Sequence, residues 1–460
     1  MTAFKNIPST LSLTFALTMG ALTFGATTLS VPQAQAFDDH VMARDMETLF
    51  VGATVLTMDG GTVYDKGYVR VKDGVITEVG PMTGPMTVNN VRVIPSQGKF
   101  IMPGLVEAHG HLPFIGNSLR DTEEVMFLYV AGGVTTVRGM QGNEAQFGLR
   151  DRVNSGDLLG PNLTLGSPSL HGGRVKTPEE ARQFVRQYKE EGYDLLKVHE
   201  GLSFDTYMAL VDEANKQGIR FAGHITDTVT VEQALDAGQD TIEHMDNYVA
   251  EIMAVPEGER DAKMAELVAM TKAKNGWIVP TDVLFQRFFD PSDAEIARLD
   301  ELKYVSADTI AGWKRRHESF VASFRESPEQ GKAYSMWRKK LLKALADADV
   351  NILLGSDAPQ VYSVPGFSVQ REMEGMQDVG ISIADILDSG THMGGVYSNE
   401  AYGLIKAGYR ADILLLDEDP RQDLSAFRAL DGVMVKGYWH SGEEIQKRLN
   451  DMADRYAKDK

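Results

Sequence analysis

Apolar residues along this chain of 460 residues come in short runs, and what separates the runs changes along its length. Between Leu49 and Val79 the segments TLFVGATVLTM and GYVRVKDGVITEVG read as strands. Asp59-Gly60-Gly61 and Lys72-Asp73-Gly74 supply turn residues between them. So few strands need partners to bury their faces. Suitable runs lie far away, at Ala411–Leu416 and Gly432–Gly437. The expectation is one small β-sandwich domain assembled from residues 37–97 and 402–440, with the middle of the chain inserted between them. Residues 441–460 follow as a C-terminal helix or tail.

The middle, residues 98–401, alternates short apolar strands with helical stretches, the rhythm of a parallel sheet with crossover helices. The strands are FIMPGLVEAH, VTTVRGM, LTLGSPSL, DLLKVH, FAGHI, TIEHM, WIVPTDVLF and NILLGSD. Eight is the count of a (β/α)8 barrel of the TIM type, so the fold class predicted is α/β. Helices are expected at Pro178–Glu191, Phe204–Gln217 and Val231–Ala237. A longer helical insertion at about 291–349 is rich in Arg, Lys, Phe and Trp. It is placed to cover the barrel mouth, to join copies in a homo-oligomer, or to form an outer layer.

Composition adds a location. Lys5, an uncharged stretch from Ile7 to Leu29 and the small residues of Ala34-Gln35-Ala36 make residues 1–36 a signal peptide. The expected mature protein is periplasmic or secreted, and no later apolar stretch of membrane-spanning length would anchor it stably. With no cysteine, it has no disulfides, and any metal must take nitrogen and oxygen ligands. The net charge of −19 argues against nucleic acid as a partner, because phosphate backbones are held by basic surfaces. The 21 methionines are scattered and read as core filling.

The chemistry lies where polar residues end apolar strands. His109 and His111 are two apart at the end of the first strand, so both face the same way. Lys197 ends the fourth strand, His224 the fifth, His244 the sixth and Asp357 the eighth. In a barrel the C-terminal strand ends converge on one mouth, where catalytic groups sit. Any one of these residues alone reads as a structural histidine, a snorkelling lysine or a helix cap. Six at such positions point to a site. His171, His199 and Tyr248 are candidates to hydrogen-bond a substrate carbonyl or its oxyanion, His171 foremost. Arg174 and Arg138 are candidates to hold a substrate carboxylate.

PGLVEAHGH, DLLKVH, AGHI, IEHMD and LLGSDAP, in that order, resemble the metal motifs of the amidohydrolase superfamily. The likeness is to its binuclear members related to imidazolonepropionase and the Xaa-Pro dipeptidases. GYRADILLLDEDP followed by VMVKG is similar to that family's return to the β domain. The resemblance implies two divalent ions, one on His109, His111 and Asp357 and the other on His224 and His244. It also implies that Lys197 is N6-carboxylated and bridges both ions. Zn²⁺ suits imidazole and carboxylate donors, with Mn²⁺, Co²⁺ and Fe²⁺ left open. By the same resemblance the ions share a hydroxide, and Asp357 carries its proton to the leaving group. The substrate expected is a small amide or peptide, cleaved by a dipeptidase or an N-acyl amino acid deacylase. Cyclic amides, lactones and phosphotriesters are the alternative for the same centre. A non-catalytic exported metal-binding protein is the third reading.

Overall fold

The computed structural model describes residues 47–458 apart from 85, 87, 88, 115, 117, 290–295, 297 and 326. The signal peptide read at 1–36, the residues up to 46 and the start of the insertion lie outside the described residues. Among those described, no helix is long and apolar enough to cross a membrane.

The chain opens with β1 (Glu47–Leu56), β2 (Val63–Lys72), β3 (Val75–Pro81), β4 (Val91–Pro95) and β5 (Phe100–Pro103). β1, β2 and β3 form an antiparallel meander. β1 also pairs in parallel with β4 along its first half and with β5 beyond it. The change of partner falls at Gly52, whose φ of 86° is left-handed and open to glycine, and where the register with β2 shifts.

Eight parallel strands follow. β6 (Leu105–Gly110), β7 (Val134–Gly139) and β8 (Asn162–Leu165) form one sheet. β9 (Leu195–Val198), β10 (Arg220–Gly223), β11 (Ile242–Glu243), β12 (Trp277–Val279) and β13 (Asn351–Ile352) form a second. Single bridges, Gly166 to Leu195 and Leu170 to Val198, join β8 to β9. On the other side the Ala108 N–H donates to Leu354 O (2.9 Å) and the Asp357 N–H to His109 O (2.8 Å). Every residue of β6, β7 and β9 is buried, as in a parallel sheet covered on both faces.

Helices lie between these strands. Pro178–Glu191 begins with a Thr177–Glu180 capping box and Pro178 in its first turn, and it ends at Gly192 in the left-handed region. Phe204–Gln217 starts at Ser203, whose hydroxyl accepts from the Thr206 N–H, and ends at Gly218, also in the left-handed region. The helix expected at Val231–Ala237 stops at Asp236, with Ala237 as its cap. The described part of the insertion is helical over Ala307–Arg325 and Pro328–Asp347.

β14 (Ile413–Leu416), β15 (Leu430–Val435) and β16 (Tyr438–Ser441) then return to the first sheet, and Gly442–Lys458 is the C-terminal helix. β14 pairs with β5, so strands from both ends of the chain share one sheet. Ile413 and Leu415 enter the core of this small domain, while Leu414 and Leu416 face the large core. Burial on both faces explains why ADILLLD reads as a continuous apolar run.

Three expectations need correction. Among the described residues, the β domain is one continuous hydrogen-bonded sheet of eight strands rather than two separately bonded ones, because β1 carries β2 on one edge and both β4 and β5 on the other. FIMPGLVEAH is two strands: Pro103-Gly104 breaks it, with β5 in the small domain and β6 in the large one. WIVPTDVLF is strand only to Val279. Pro280 has no ladder N–H, Thr281 takes a φ of 47°, and Asp282–Phe289 is a helix whose first N–H groups are held by Glu372.

Candidate metal centre

The strand ends bring the expected residues together. His109 lies within β6 and His111 just past it, Lys197 lies in β9, and His224 and His244 follow β10 and β11 directly. Asp357 lies five residues beyond β13. The close approach of β6 to this last segment requires Gly355, where a Cβ would lie 2.5 Å from Val279 Cγ1 and 2.9 Å from His109 N. His244, Met245, Thr281 and Asp357 all take positive φ (71°, 61°, 47° and 61°). Such strain in side chains other than glycine gathers where surrounding structure imposes it, and functional sites are the usual place.

His109 is the most constrained ligand candidate. Its Nδ1 lies 2.6 Å from Glu243 Oε2, so the ring proton is held there and Nε2 carries the lone pair. That Nε2 faces Asp357 Oδ1 at 3.5 Å, and His111 Nε2 lies 2.6 Å from the same oxygen. Asp357 Oδ1 is buried and has no hydrogen-bond partner among the described residues, the two imidazole nitrogens being its close neighbours. His244 Nδ1 meets Thr281 Oγ1 at 2.7 Å and stands 3.9 Å from Asp357 Oδ2. Ligand atoms of His109, His244 and Asp357 all fall within 4.8 Å of one another.

A second group adjoins it. Glu200, His224 and Asp246 also offer ligand atoms within 4.8 Å of one another. His224 Nδ1 is 3.9 Å from Glu200 Oε1 and 4.0 Å from Asp246 Oδ2, and the His224 ring lies 4.4 Å from that of His244. This differs from the pairing of His224 with His244 alone: His244 stands with the Asp357 group, and two carboxylates accompany His224.

Burial dominates the electrostatics. It pushes the His109 imidazole down to about 4, helped by Lys197, and holds His224 and His244 well below their ordinary value. Burial likewise lowers the Lys197 ammonium to about 8, against the pull of Glu243 and Asp357. For Asp357 burial works upward, but the His109 and His111 imidazoles prevail and hold it at about 2. Neutral imidazoles, an ionised carboxylate with an orphaned oxygen and a lysine with a weakened hold on its proton fit a pair of divalent cations.

Several buried groups that support this centre were missed in the sequence. Glu243 Oε1 accepts from Arg138 Nη2 (2.7 Å) while its other oxygen serves His109. Glu107 accepts from the N–H groups of His109 (3.1 Å) and Ser356 (2.8 Å), and burial raises its carboxyl to about 8. Arg338, wholly buried on the insertion helix, donates to the His244 and Pro280 carbonyls, to Asp282 (2.8 Å) and to Asp246 (2.9 Å). The signal for Glu107 and Glu243 was present: each is an acid inside a strand that otherwise reads apolar.

Of the expected substrate residues, two histidines adjoin the centre. The His199 ring is 4.1 Å from that of His224, and the His171 ring is 6.4 Å from that of His199. His199 Nδ1 accepts from the Glu200 N–H (2.8 Å) and His171 Nδ1 from the Gly173 N–H (3.1 Å), so each carries its proton on Nε2. Of the other three, two are turned into the fold and one is exposed. Tyr248 is fully buried and bonds Thr271 Oγ1 (2.8 Å), since the helix Asp246–Ala254 turns that face into the core. Arg138 spends its donors on Ala108 O, Thr241, Tyr397 and Glu243. Arg174 is exposed and lies over the Phe184 ring at 4.9 Å.

Comparison with known proteins bears on this geometry. The family described as "Amidohydrolase family" matches residues 100–443. An imidazolonepropionase of Stenotrophomonas maltophilia (strain R551-3) is 30% identical over 82 residues, covering 17% of this chain and 20% of that protein. The chain thus matches about a fifth of that curated relative's length. Among solved structures, bottromycin amidohydrolase superposes with a TM-score of 0.70 at 20% identity, covering 91% of this chain and 94% of that one. A Xaa-Pro dipeptidase with methionine bound in its active site gives 0.65 at 18% identity, covering 86% and 100%. At these identities the structures speak for the fold, and the match over residues 100–443 carries the conclusion: this chain belongs to the amidohydrolase family.

Proposed function

We propose that this protein is an exported binuclear-metal hydrolase, built on a closed (β/α)8 barrel, that cleaves the amide bond of a dipeptide or an N-acyl amino acid. The observation that carries the reading is the buried, unbonded Asp357 Oδ1, faced by a His109 nitrogen whose lone pair is fixed by Glu243. Two nuclei of electron density held face to face in a dry site are stabilised by a cation between them. His109, His111 and Asp357 would hold one ion. His224 would hold the other with Glu200 and Asp246 at hand, His244 standing between the two groups. Lys197, as its N6-carboxylate, would bridge them. Zn²⁺ suits this donor set. Export rests on the character of residues 1–36, and the peptide-like substrate on the likeness to a Xaa-Pro dipeptidase.

Bound there, two divalent ions supply Lewis acidity and acidify water. The chain's own residues do the rest. Burial leaves Lys197 partly as the neutral amine, the form whose nitrogen attacks carbon dioxide and then sheds a proton. Asp357 takes a proton from the attacking water at a carboxylate oxygen and returns it to the leaving nitrogen. His199, held at about 3 by burial and by Lys197, stays neutral and offers its Nε2–H to the carbonyl oxygen as charge develops. His171 is placed to do the same from the loop after β8.

The test is metal content per chain by elemental analysis, run beside a panel of dipeptides, N-acyl amino acids, lactones and phosphotriesters. Two metals with cleavage of amides is the expected result. One metal would remove the Lys197 bridge, and turnover confined to lactones or phosphotriesters would overturn the amide assignment.

A further inference from the structure

Arg138 is spent inside the fold and Arg174 lies exposed on the loop beside His171, whereas a third arginine reaches towards the centre from the insertion. The helix Ala307–Arg325 of the insertion packs against two segments, one that follows Asp357 in sequence and one that follows β12. On one side the rings of Trp313 and His317 lie 6.2 and 5.7 Å from that of Tyr362, five residues beyond Asp357. His317 Nε2 also meets the Arg287 carbonyl at 3.0 Å. On the other side Phe320 stacks on Phe288 at 4.2 Å, Phe288 meets Phe285 at 5.7 Å, and Phe285 meets the His244 ring at 5.5 Å. An aromatic row thus runs from the insertion helix to a candidate ligand.

Arg316 lies on this helix beside His317, with its guanidinium 5.8 Å from the Phe320 ring. It is half-buried, and no carboxylate among the described residues bonds to it or forms an ion pair with it. Among the described residues, the carboxylate whose charge reaches it is that of Asp357, which opposes the downward push of burial on the guanidinium. An arginine partly withdrawn from water, unpaired among the described residues and within the field of the reaction centre is suited to an incoming anion. Its planar fork matches a carboxylate in two parallel hydrogen bonds, and the Phe320 face keeps it from folding back into solvent.

We infer that Arg316 is a specificity-determining residue that binds the free carboxylate of the substrate, so that this site takes amides of amino acids whose carboxyl group is unblocked. The inference rests on the amide-hydrolase reading above, and it extends it by giving the insertion a role in recognition.

The experiment compares matched substrates, dipeptides and N-acyl amino acids against their carboxamides, on metal-loaded wild type, Arg316→Gln and Arg316→Lys. Wild type should favour the free acids by roughly 10- to 100-fold in kcat/KM, the range of a charge-assisted pair. Arg316→Gln should lose that preference through KM while handling the carboxamides as wild type does, and Arg316→Lys should recover part of it. Equal treatment of acids and carboxamides by wild type would overturn the inference and leave the hydrolase reading intact. So would an equal loss on both substrates in Arg316→Gln, which marks a merely structural arginine. If wild type cleaves no amide, the hydrolase reading fails, and calorimetric binding of N-acetylleucine against N-acetylleucinamide decides for Arg316. Acid-selective binding that is lost in Arg316→Gln would support the carboxylate site, and equal binding of the two would overturn it.

Discussion

Glu243→Gln probes how the centre keeps His109 in the right protonation state. In the native chain Glu243 Oε2 accepts the His109 Nδ1 proton at 2.6 Å, while Oε1 accepts from Arg138 Nη2 at 2.7 Å and from the Thr241 hydroxyl. Glutamine preserves the volume but offers one acceptor, with an NH₂ group where the second stood. If the NH₂ faces His109, the ring must shift its proton to Nε2, which then points an N–H at Asp357 and has no lone pair left for a cation. If it faces Arg138, a buried guanidinium loses its charged partner. One orientation costs the ligand its lone pair, and the other sets a donor against a donor.

The size of the effect follows from two directions. A hydrogen bond to a charged group contributes about 1.5–3 kcal/mol, and removing a carboxylate behind a ligating histidine weakens metal binding roughly 10- to 100-fold. The carboxyl itself gives a similar figure. Burial alone would raise it, but Arg138 and then His109 bring it to about 2 from an ordinary 4.5. That is worth on the order of 3 kcal/mol of folding free energy. A depressed carboxyl contributes this stability above its unfolded value and loses it as pH falls from about 4.5 towards about 2. Competition with a graded chelator, read by elemental analysis, measures metal affinity, and the thermal midpoint reports stability. Glu243→Gln should raise the metal dissociation constant by one to two decades and lower the midpoint. A variant that holds metal as tightly as wild type across the whole competition curve would refute the argument, whatever its midpoint.

Three further outcomes are expected. Asp357→Asn should abolish turnover, because an amide cannot take the water's proton; kcat near wild type would mean that the base lies elsewhere. Lys197→Ala should lose bound metal and recover part of it with a short carboxylic acid, whereas full occupancy without the acid would exclude a bridging carbamate. Glu372, raised by burial and then by Asp282 to about 8, favours the folded state most below its unfolded value near 4.5 and loses that contribution as pH rises to about 8. The stability of metal-free protein should therefore fall across that window by at most about 1.4 kcal/mol per pH unit from this group. Urea titrations of Glu372→Gln should show a flatter profile, and an unchanged slope would remove Glu372 as the cause.

What the sequence revealed and what it hid divide along one line. A strand end is a local fact: His109 and His111 two apart, or a lysine inside LLKV, announce themselves, and the structure brings these residues to one place. Side-chain direction is not local. Arg138, in VTTVRGM, looked as available as any ligand candidate, but its guanidinium meets Glu243, Thr241 and Tyr397, residues 103 to 259 positions away. Tyr248 follows IEHMD closely, yet one helical turn carries it into the core. Arg316 and Arg338 lie in an insertion whose basic composition was evident, but nothing in its spacing says which arginine pairs inward and which stays unpaired. Strand limits failed for a related reason. Apart from Glu107 and His109, FIMPGLVEAH is apolar because both of its halves are buried, and only Pro103-Gly104 marks the seam.

The pattern of buried charge explains why Asp357, of all the acids in the interior, is the one suited to chemistry. Burying a carboxylate is costly unless a partner offsets it. Among the described buried acids, Glu124, Glu213, Glu243, Asp282, Glu301 and Asp412 each have an arginine: Arg455, Arg186, Arg138, Arg338, Arg371 and Arg410. Glu107 and Glu372 have none, and burial raises both to about 8, so they stay protonated at neutral pH and carry no charge to offset. Asp357 follows neither route. It is held ionised at about 2, its close contacts are the His109 and His111 imidazoles, and its Oδ1 has no hydrogen-bond partner among the described residues. The cation nearest in charge is Lys197, whose own proton burial loosens. An interior that balances every other acid with a guanidinium or a proton leaves this one for a ligand of positive charge. On the proposed mechanism the same imbalance suits it to the role of base: a carboxylate without a permanent partner is free to accept a proton and to give it back.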